Sequence, residues 1–300
     1  MVVVKPCAPE QETQLFHLLN DARRGDSLGL YTEAEWHDWW TDPNGRGHWM
    51  AFREERPAGY MGMLLLKEFD GTSGAYCQVT VHPRERRQGV GSRLVAEAIH
   101  QARELGVSYL ACCVDRKQQA VLEPFLCRWG FTAVRRTWVM LLPRDARLPE
   151  VRVPAEYRLR TLRAGDSADL AVLTDLENRV LAGGFGVTPC TVEEMNWVVG
   201  REAFRPDGCF ILEGADGPVG FCRTLLTPDV GEVELLGVLP EYRRQGLGRL
   251  LLVQGARFLR EHGASTIRLA VDGQNESALG LYRHTGFVPR SSRVHYRHYF

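Results

Sequence analysis

The sequence predicts an α+β protein made of two related domains, each with a mixed β-sheet flanked by helices. Its 300 residues are about the length of two domains. A segment running from Val81 to Gly91 recurs as Val238 to Gly248, and both copies contain a proline, an Arg-Arg-Gln turn and a Gly-x-Gly sequence that opens an amphipathic stretch. Strand-like and helix-like apolar periods follow one another in the same order in both halves.

The boundaries of the two domains follow from a linker between the copies. The stretch from Leu142 to Glu150 combines prolines with charged residues, which is typical of an exposed connection. We therefore predict a first domain over residues 1–145 and a second over residues 155–300. Strands outnumber helical crossovers in each half, so each sheet is expected to contain both parallel and antiparallel pairs.

Capping residues, turn signals and apolar periodicity justify the elements of the second half. Asp166 or Ser167 can cap its first helix, and Gly214 to Pro218 form the turn of a hairpin. The predicted elements are a strand at 157–160, a helix at 166–180, a loop at 181–189, a helix at 192–199, hairpin strands at 209–213 and 219–226, a strand at 230–238, a helix at 246–262, a strand at 266–271, a helix at 277–285 and two closing strands within 286–300.

The first half follows the same plan. Its predicted elements are helices near 10–21 and 33–40, hairpin strands at 49–52 and 59–67, a strand at 75–81, a helix at 89–105, a strand at 108–114 and a helix near 118–128.

Composition excludes several classes of protein. The 37 basic and 37 acidic residues cancel, so no overall field attracts nucleic acid or an anionic membrane. No apolar run approaches the roughly 18 to 20 residues of a membrane span, and the apolar start is too short for a signal peptide. We expect a cytoplasmic protein. The eight cysteines form no C-x-x-C pair and are expected to be buried, reduced thiols without a metal.

The repeated turn is suited to a phosphate group. A helix that begins at Gly-x-Gly directs free N–H groups and the positive end of its dipole toward an anion, while glycine lets the anion approach closely. No Lys-Ser/Thr follows, and Leu94 and Leu251 occupy the place of a third glycine, which excludes the P-loop and the dinucleotide fingerprint. The turn residues are Arg243, Arg244, Gln245, Gly246, Leu247, Gly248 and Arg249 in the second half, and Val81, Arg86, Arg87, Gln88, Gly89, Val90, Gly91 and Ser92 in the first.

Both turns match the R/Q-x-x-G-x-G/A acyl-CoA signature, so the chain resembles a tandem member of the GNAT family of N-acetyltransferases. The stretch from Asn275 to Phe287 also fits the downstream family pattern N-x-x-A-x-x-L-Y-x-x-x-G-F. The resemblance implies a sheet that opens into a V between two central strands and holds acetyl-CoA, or another short acyl-CoA, in the opening. Backbone at Leu236, Gly237, Val238 and Leu239 would pair with the pantetheine arm, and Asn275, Ala278 and Tyr282 would lie against the cofactor.

The resemblance also implies the catalytic groups of the second half. Tyr282 would donate a proton to the departing thiolate, and its phenol is protonated at neutral pH. Glu232 or Glu234 would accept the proton of an amine, and because they are two positions apart they are expected on the same side of one strand. The residues leave open which glutamate is the base.

The first half departs from the family pattern. Counting along the repeat, Ala75 and Cys77 occupy the positions of the two glutamates, and Gln119 replaces Asn275. Leu126, or Phe125 with a shift of one residue, occupies the position of Tyr282. We therefore expect the second domain to be catalytic, and the first to be either a non-productive CoA binder or a scaffold.

The acceptor is expected to be a primary amine of a small molecule or peptide. In the family the loop at 181–189 and the final strands shape the acceptor site, so Glu193, Glu194, Arg293, His295 and His298 are candidate contacts. The tandem organisation is also similar to that of the mycothiol synthases, which acetylate a cysteinyl amine. A non-catalytic acyl-CoA sensor or scaffold is the alternative of another class. A monomer is favoured over a homodimer, because one chain already supplies two domains.

Overall fold

The computed structural model describes residues 1–24 and 31–300. The chain divides into two compact units. The first unit contains Met1–Arg135 together with Arg293–Phe300, and the second unit contains Arg136–Ser292.

The helices and strands follow the predicted order closely. The exceptions are the strand at Val2–Pro6 and the closing strands of the two halves. Up to the second unit they are β1 (Val2–Pro6), α1 (Glu12–Arg23), α2 (Glu33–Thr41), β2 (Gly45–Arg53), β3 (Arg56–Lys67), β4 (Ser73–Val81), α3 (Val90–Glu104), β5 (Tyr109–Asp115), α4 (Arg116–Arg128) and β6 (Thr132–Leu142). They continue as β7 (Arg158–Thr161), α5 (Ser167–Leu181), α6 (Val192–Gly200), β8 (Phe204–Gly214), β9 (Gly217–Leu226), β10 (Val230–Val238), α7 (Leu247–Glu261), β11 (Thr266–Asp272), α8 (Glu276–His284) and β12 (Val288–Tyr299).

Each unit contains a mixed sheet, as predicted. In the first unit the strand order is β1-β2-β3-β4-β5-β12, and only the β4–β5 pair is parallel. In the second unit the order is β6-β11-β10-β9-β8-β7, and only the β10–β11 pair is parallel.

The closing strand of the second half differs from the prediction, and β6 was not among the predicted elements of the first half. Residues 286–300 contain one long strand, β12, instead of two closing strands. From Arg293 onward β12 pairs with β5 of the first unit, whereas β6 pairs with β11 of the second unit through Thr137–Leu142. The compact units therefore do not follow the predicted boundaries of 1–145 and 155–300. The edge of a sheet can pair with any strand whose apolar residues face the same core, so the apolar periodicity of a strand does not show which strand it pairs with.

The parallel pair at the centre of each sheet is short. β10 pairs with β11 only over Val230–Val233, and beyond Val233 its second edge pairs with no strand, although β9 still covers the first edge. β4 and β5 pair only over Gly74–Tyr76 in the same way. Both sheets therefore open between their central strands, as the family resemblance implies.

Amphipathic helices fill the two faces of each sheet. The apolar stripe of α7, with Leu251, Val253, Ala256 and Leu259 fully buried, packs against β9 and β10. On the opposite face α5 and α6 contribute Leu173 and Met195 to a second core cluster. Each fully buried leucine stabilises the fold by about 1.5 to 3 kcal/mol, so these helices fix the strands that carry the site.

Candidate active site

The turn before α7 has the conformation of an anion-binding helix start. Gly246 is the N-cap residue with φ 80°, Arg244 also has a positive φ of 62°, and no side chain caps the helix. A Cβ atom at Gly246 would meet nothing within 4 Å, so glycine serves the backbone conformation there. The first N–H groups of α7 have no intrahelical acceptor and, with the helix dipole, favour a phosphate group.

The two arginines of this turn have different surroundings. Arg243 donates from Nε to the carbonyl of Val238 at 3.0 Å, which ties the turn to the end of β10. Arg244 and Arg249 are exposed at the start of the helix. The Gln245 side chain accepts a hydrogen bond from the Tyr157 hydroxyl at 2.8 Å. Arg243 and Gln245 thus hold the turn in shape, while Arg244 and Arg249 offer charge to an anion.

The first unit repeats this turn in detail. Gly89 has φ 82°, Arg87 has φ 63°, and Arg86 donates from Nε to the carbonyl of Val81 at 3.3 Å. Val90 is buried at the helix start, as Leu247 is in the second unit. The remaining predicted residues of this turn are Gln88, Gly91 and Ser92, at the beginning of α3. Both turns therefore have a backbone that suits a pyrophosphate.

The strand β10 lines the opening next to the turn. Leu236, Gly237 and Val238 pair with β9, and Leu239 donates its N–H to the carbonyl of Val219 at 2.8 Å. A Cβ atom at Gly237 would come within 2.1 Å of Val180, so this glycine allows α5 to pack directly on the strand. Among the strands of the described residues, none pairs with the other edge of Leu236–Val238, and the backbone groups of this edge suit the amides of a pantetheine arm.

Helix α8 supplies the tyrosine. Asn275 caps the helix and accepts a hydrogen bond from Ala278 N at 3.0 Å. Tyr282 is 8% exposed and belongs to the same core cluster as Val233, which flanks the opening. Burial raises the pKa of Tyr282 above its usual value near 10, so the phenol keeps its proton throughout the neutral range.

The first unit has no tyrosine at the equivalent position. Phe287 N donates to the carbonyl of Tyr282 at 3.0 Å, and Phe131 N donates to the carbonyl of Leu126 at 3.1 Å. This shared closing bond makes Leu126, not Phe125, the counterpart of Tyr282. Leu126 has no group that can donate a proton.

The helix in front of Leu126 also differs from the prediction. We expected Gln119 to replace Asn275, but α4 begins directly after β5, and Asp115 caps it by accepting from Lys117 N at 2.8 Å. Gln119 therefore lies inside the helix, where its Nε2 contacts Glu123 at 3.3 Å. The repeat count failed here because α4 has an additional turn at its start.

Glu232 and Glu234 have different environments. Glu232 accepts one hydrogen bond, from Arg268 Nε on β11 at 2.7 Å, at the paired register just before the opening. Glu234 accepts from Arg201 Nη2 at 2.8 and 2.9 Å and from Arg223 Nε at 2.8 Å. Burial opposes ionisation of Glu234, but the two arginines outweigh it and lower the pKa of the carboxyl.

A β-bulge corrects the comparison between the two halves. The β9–β10 register shifts between Val233 and Leu235, which makes Glu234 an extra residue, whereas the β3–β4 register is continuous. Tyr76 pairs with β5 as Glu232 pairs with β11. The counterpart of Glu232 is therefore Tyr76, so the assignment of Ala75 and Cys77 to the glutamate positions is wrong. Tyr76 hydrogen-bonds to Cys113 across 3.2 Å.

The acceptor candidates are divided between the two units. Glu194 forms a capping box at the start of α6 by accepting from Thr191 N at 2.7 Å, and Glu193 is exposed beside it. The three candidates from the final strand lie in the first unit's sheet instead, opposite residues of β5. These are Arg293, His295 and His298, which pair with Asp115, Cys113 and Leu110.

Sequence reasoning missed a buried ionic cluster on the α5 side of β10. Its members are Glu177, Arg201, Arg223 and Glu234, and Arg268 was missed as the partner of Glu232. A signal was available: Glu177 lies four residues after Leu173 and three before Val180, both buried on the face of α5 that meets the sheet. Arg223 interrupts a buried run of β9. Charges at such positions are rarely buried without partners.

Comparison with known proteins decides the family. A model described as "Acetyltransferase (GNAT) family" matches residues 13–131 and 173–287, one stretch in each half. The chain belongs to this family. It is an acyltransferase of tandem organisation, and members of the GNAT family act on amine acceptors with acyl-CoA as the donor.

Two relatives of this chain are named mycothiol acetyltransferase. A mycothiol acetyltransferase of Actinosynnema mirum is 30% identical over 295 residues, which covers 96% of each chain. One from Rhodococcus jostii is 33% identical over 248 residues, which covers 76% of this chain and 75% of that protein.

Solved structures share the fold over nearly the full length. A GCN5-related N-acetyltransferase from Sphaerobacter thermophilus has a TM-score of 0.74 at 21% identity and covers 99% of this chain and 95% of that one. A tandem GNAT protein from the clavulanic acid biosynthesis pathway has a TM-score of 0.75 at 19% identity, with 99% and 98% covered. In the described part of this GNAT chain, no helix is long and apolar enough to cross a membrane.

Proposed function

We propose that the second unit transfers an acetyl group from acetyl-CoA to a primary amine of a small molecule or peptide by direct attack. The observation that carries this proposal is the combination, within one unit, of the open β10 edge, the uncapped start of α7 and the buried Tyr282. When bound, acetyl-CoA supplies the activated acetyl thioester. The chain supplies the backbone groups that hold it and the groups that move protons.

Glu232 is the base in this proposal, and Glu234 is not. In the part of the chain that the structure describes, Glu232 pairs with Arg268 alone, and 27% of its side chain is exposed, so its carboxylate can still receive a proton. The Glu234 carboxylate accepts three hydrogen bonds from two arginines, and its lowered pKa makes it a weaker proton acceptor. Because an amine is far more basic than a free carboxylate, transfer to Glu232 needs a desolvated carboxyl or a relay through water.

Tyr282 acts on the sulfur side. Its raised pKa makes complete proton transfer to a thiolate with a pKa near 8.5 unfavourable. The hydroxyl instead stabilises the negative charge that develops on the sulfur by donating a hydrogen bond to it. Such a bond is stronger to an anionic acceptor than to a neutral one.

The first unit binds acyl-CoA without turnover in this proposal. Its turn keeps the conformation of an anion site, but Leu126 occupies the position of Tyr282, the hydrogen-bond donor to the sulfur, and Tyr76 occupies the position of the base. The resemblance to the mycothiol synthases implies a second candidate for the acceptor, a cysteinyl amine. Similarity over 96% of the chain to a protein named mycothiol acetyltransferase supports this candidate.

The test is acetyl transfer to a panel of amines, with alkyl amines, amino-acid esters, amino sugars and S-methylcysteine methyl ester. Product is detected by mass spectrometry, and released CoA by its thiol. Wild type is expected to acetylate at least one amine, and Tyr282→Phe is expected to lower kcat about a hundredfold with little change in the KM for acetyl-CoA. Tyr299→Phe removes the hydroxyl of an exposed tyrosine and is the matched control.

Two results would contradict the proposal. One is a wild-type protein that binds acetyl-CoA but acetylates no amine of the panel. The other is a Tyr282→Phe enzyme with the wild-type kcat, because then the hydroxyl would play no part in the departure of the thiol.

A further inference from the structure

The buried ionic cluster joins four elements on the α5 side of β10. Glu177 lies on α5, Arg201 follows the last residue of α6, Arg223 lies on β9 and Glu234 is the bulge residue of β10. Side-chain exposure is 4% for Glu177 and 6% for Arg223, and it reaches only 12% and 20% for Arg201 and Glu234. Burial of four charges is costly, so each must be held by a partner.

Arg223 is the centre of this cluster. Its Nη1 donates to both oxygens of Glu177 at 3.0 Å, and its Nε donates to Glu234 at 2.8 Å. Arg201 holds Glu234 from the other side and also donates from Nε to the carbonyl of Val198 in the last turn of α6. The guanidinium of Arg223 thus binds two carboxylates at once. Its contact with Glu177 fixes the position from which it binds Glu234.

The cluster acts on the part of β10 that determines the opening. Arg223 lies opposite Leu235, next to the register shift, and its Nε contacts the extra residue of the bulge. Glu232 is two residues before Glu234, and the free edge of Leu236–Val238 begins two residues after it. A shift of the bulge therefore moves the proposed base and the acyl-CoA edge relative to each other.

We propose that Glu177 is a positioning residue, which acts through Arg223 and Glu234 to hold the β10 bulge in the geometry that acetyl transfer requires. The inference rests on the proposed function and deepens it. Misplacement by about 1 Å costs a catalysed reaction about a hundredfold, so the effect is expected in kcat, whereas the affinity for acetyl-CoA depends mainly on the α7 turn.

Burial makes the carboxyl of Glu177 harder to ionise than an ordinary glutamate. Burial raises the pKa of this carboxyl to about 7, the nearby charge of Glu234 adds to the rise, and Arg223 and Arg201 oppose it. The thiols of Cys190 and Cys209 also face the cluster, but burial raises the pKa of each, so they stay neutral. Below pH 7 Glu177 becomes neutral and loosens its hold on Arg223, so turnover is expected to fall with this ionisation.

The experiment compares Glu177→Gln with wild type, using the best amine of the panel and acetyl-CoA between pH 6 and 9. At pH 8 the variant is expected to lose about tenfold to a hundredfold in kcat, with the KM for acetyl-CoA within about twofold. The step near pH 7 should disappear from its kcat profile. Glu261→Gln makes the same chemical change at an exposed position at the end of α7 and should match wild type.

A second variant covers the case in which Glu177→Gln fails to fold. Arg223→Lys keeps the charge but lacks the planar guanidinium, which binds Glu177 through Nη1 and Glu234 through Nε, and it should lower kcat to a similar extent. Unchanged kcat in either folded variant, or an unaltered pH profile in Glu177→Gln, would overturn the inference while wild-type turnover leaves the proposed function standing. Absence of turnover in wild type would instead remove the proposed function, and this inference with it.

Discussion

The pair Glu232→Gln and Glu234→Gln separates a catalytic carboxylate from a structural one. Both changes remove a negative charge from β10 and keep nearly the same side-chain shape. Glu234 loses its ionic contacts with Arg201 and Arg223, which are 12% and 6% exposed, whereas Glu232 loses only Arg268, which is 40% exposed. We expect the two variants to differ most in thermal unfolding.

The magnitudes follow from burial. Removal of one partner from a buried ion pair costs about 3 to 5 kcal/mol, and since a fifth of the Glu234 side chain meets solvent, we expect about 2 to 4 kcal/mol from the free energy of unfolding. For units of this size that lowers Tm by about 5 to 15 °C. The exposed Glu232–Arg268 pair contributes less than about 1 kcal/mol. As the proposed base, however, Glu232 should account for about a hundredfold or more in kcat.

Thermal unfolding and steady-state kinetics on the same preparations test this division. Below its transition Glu234→Gln should keep about a tenth to a hundredth of the wild-type kcat, because the bulge is held less firmly, and it should unfold early. Glu232→Gln should keep the wild-type Tm with little turnover. The reasoning would be refuted by the opposite pattern, with normal turnover in Glu232→Gln and a stable, inactive Glu234→Gln. Glu234 would then be the base in spite of its arginines.

The other predictions concern both units. Truncation after Ser292 removes the part of β12 that pairs with β5, including the fully buried Tyr296, so amide hydrogen exchange should rise first in the first unit. Faster amide exchange confined to the second unit would contradict the assignment of Arg293–Phe300 to the first unit. Burial lowers the pKa of His48 to about 4 in the folded protein. Between about pH 6.5 and 4 this histidine is therefore protonated in the unfolded chain but neutral in the folded one, and stability is lost as the pH falls through that range. His48→Gln should flatten that decline in urea unfolding, and an unchanged slope would show that other groups cause it. Gly246→Ala forces a positive φ on alanine and should weaken acetyl-CoA binding at the second unit's site, and Gly89→Ala should weaken it at the first unit's site. If calorimetry finds wild-type acetyl-CoA binding in both variants, neither turn holds the cofactor.

Much of this site could be predicted because its signals are local. The Gly-x-Gly turns, the Asn275 cap and the position of Tyr282 depend on residues within a few positions of one another. In the second unit Tyr282 lies in the same core cluster as Leu247 of the turn and Val233 of β10. The absence of a proton donor in the first unit was likewise visible, because Leu126 is fixed by its distance from Phe131.

The bulge at Glu234 could not be read from the repeat. One extra residue in β10 shifts the correspondence by one position, so that Tyr76 and not Ala75 matches Glu232. A bulge leaves the alternation of apolar residues nearly intact, and only the hydrogen-bond register with β9 shows it.

The amino-acid sequence by itself determined the family, the two turns and the residues available for proton transfer. The tertiary structure alone decided which unit each closing strand completes, and that Glu234 lies in a cluster with Glu177, Arg201 and Arg223. The physical reason is distance along the chain. Caps and turns form between neighbouring residues, whereas strand partners and the ionisation of a buried carboxyl depend on segments that meet only after folding.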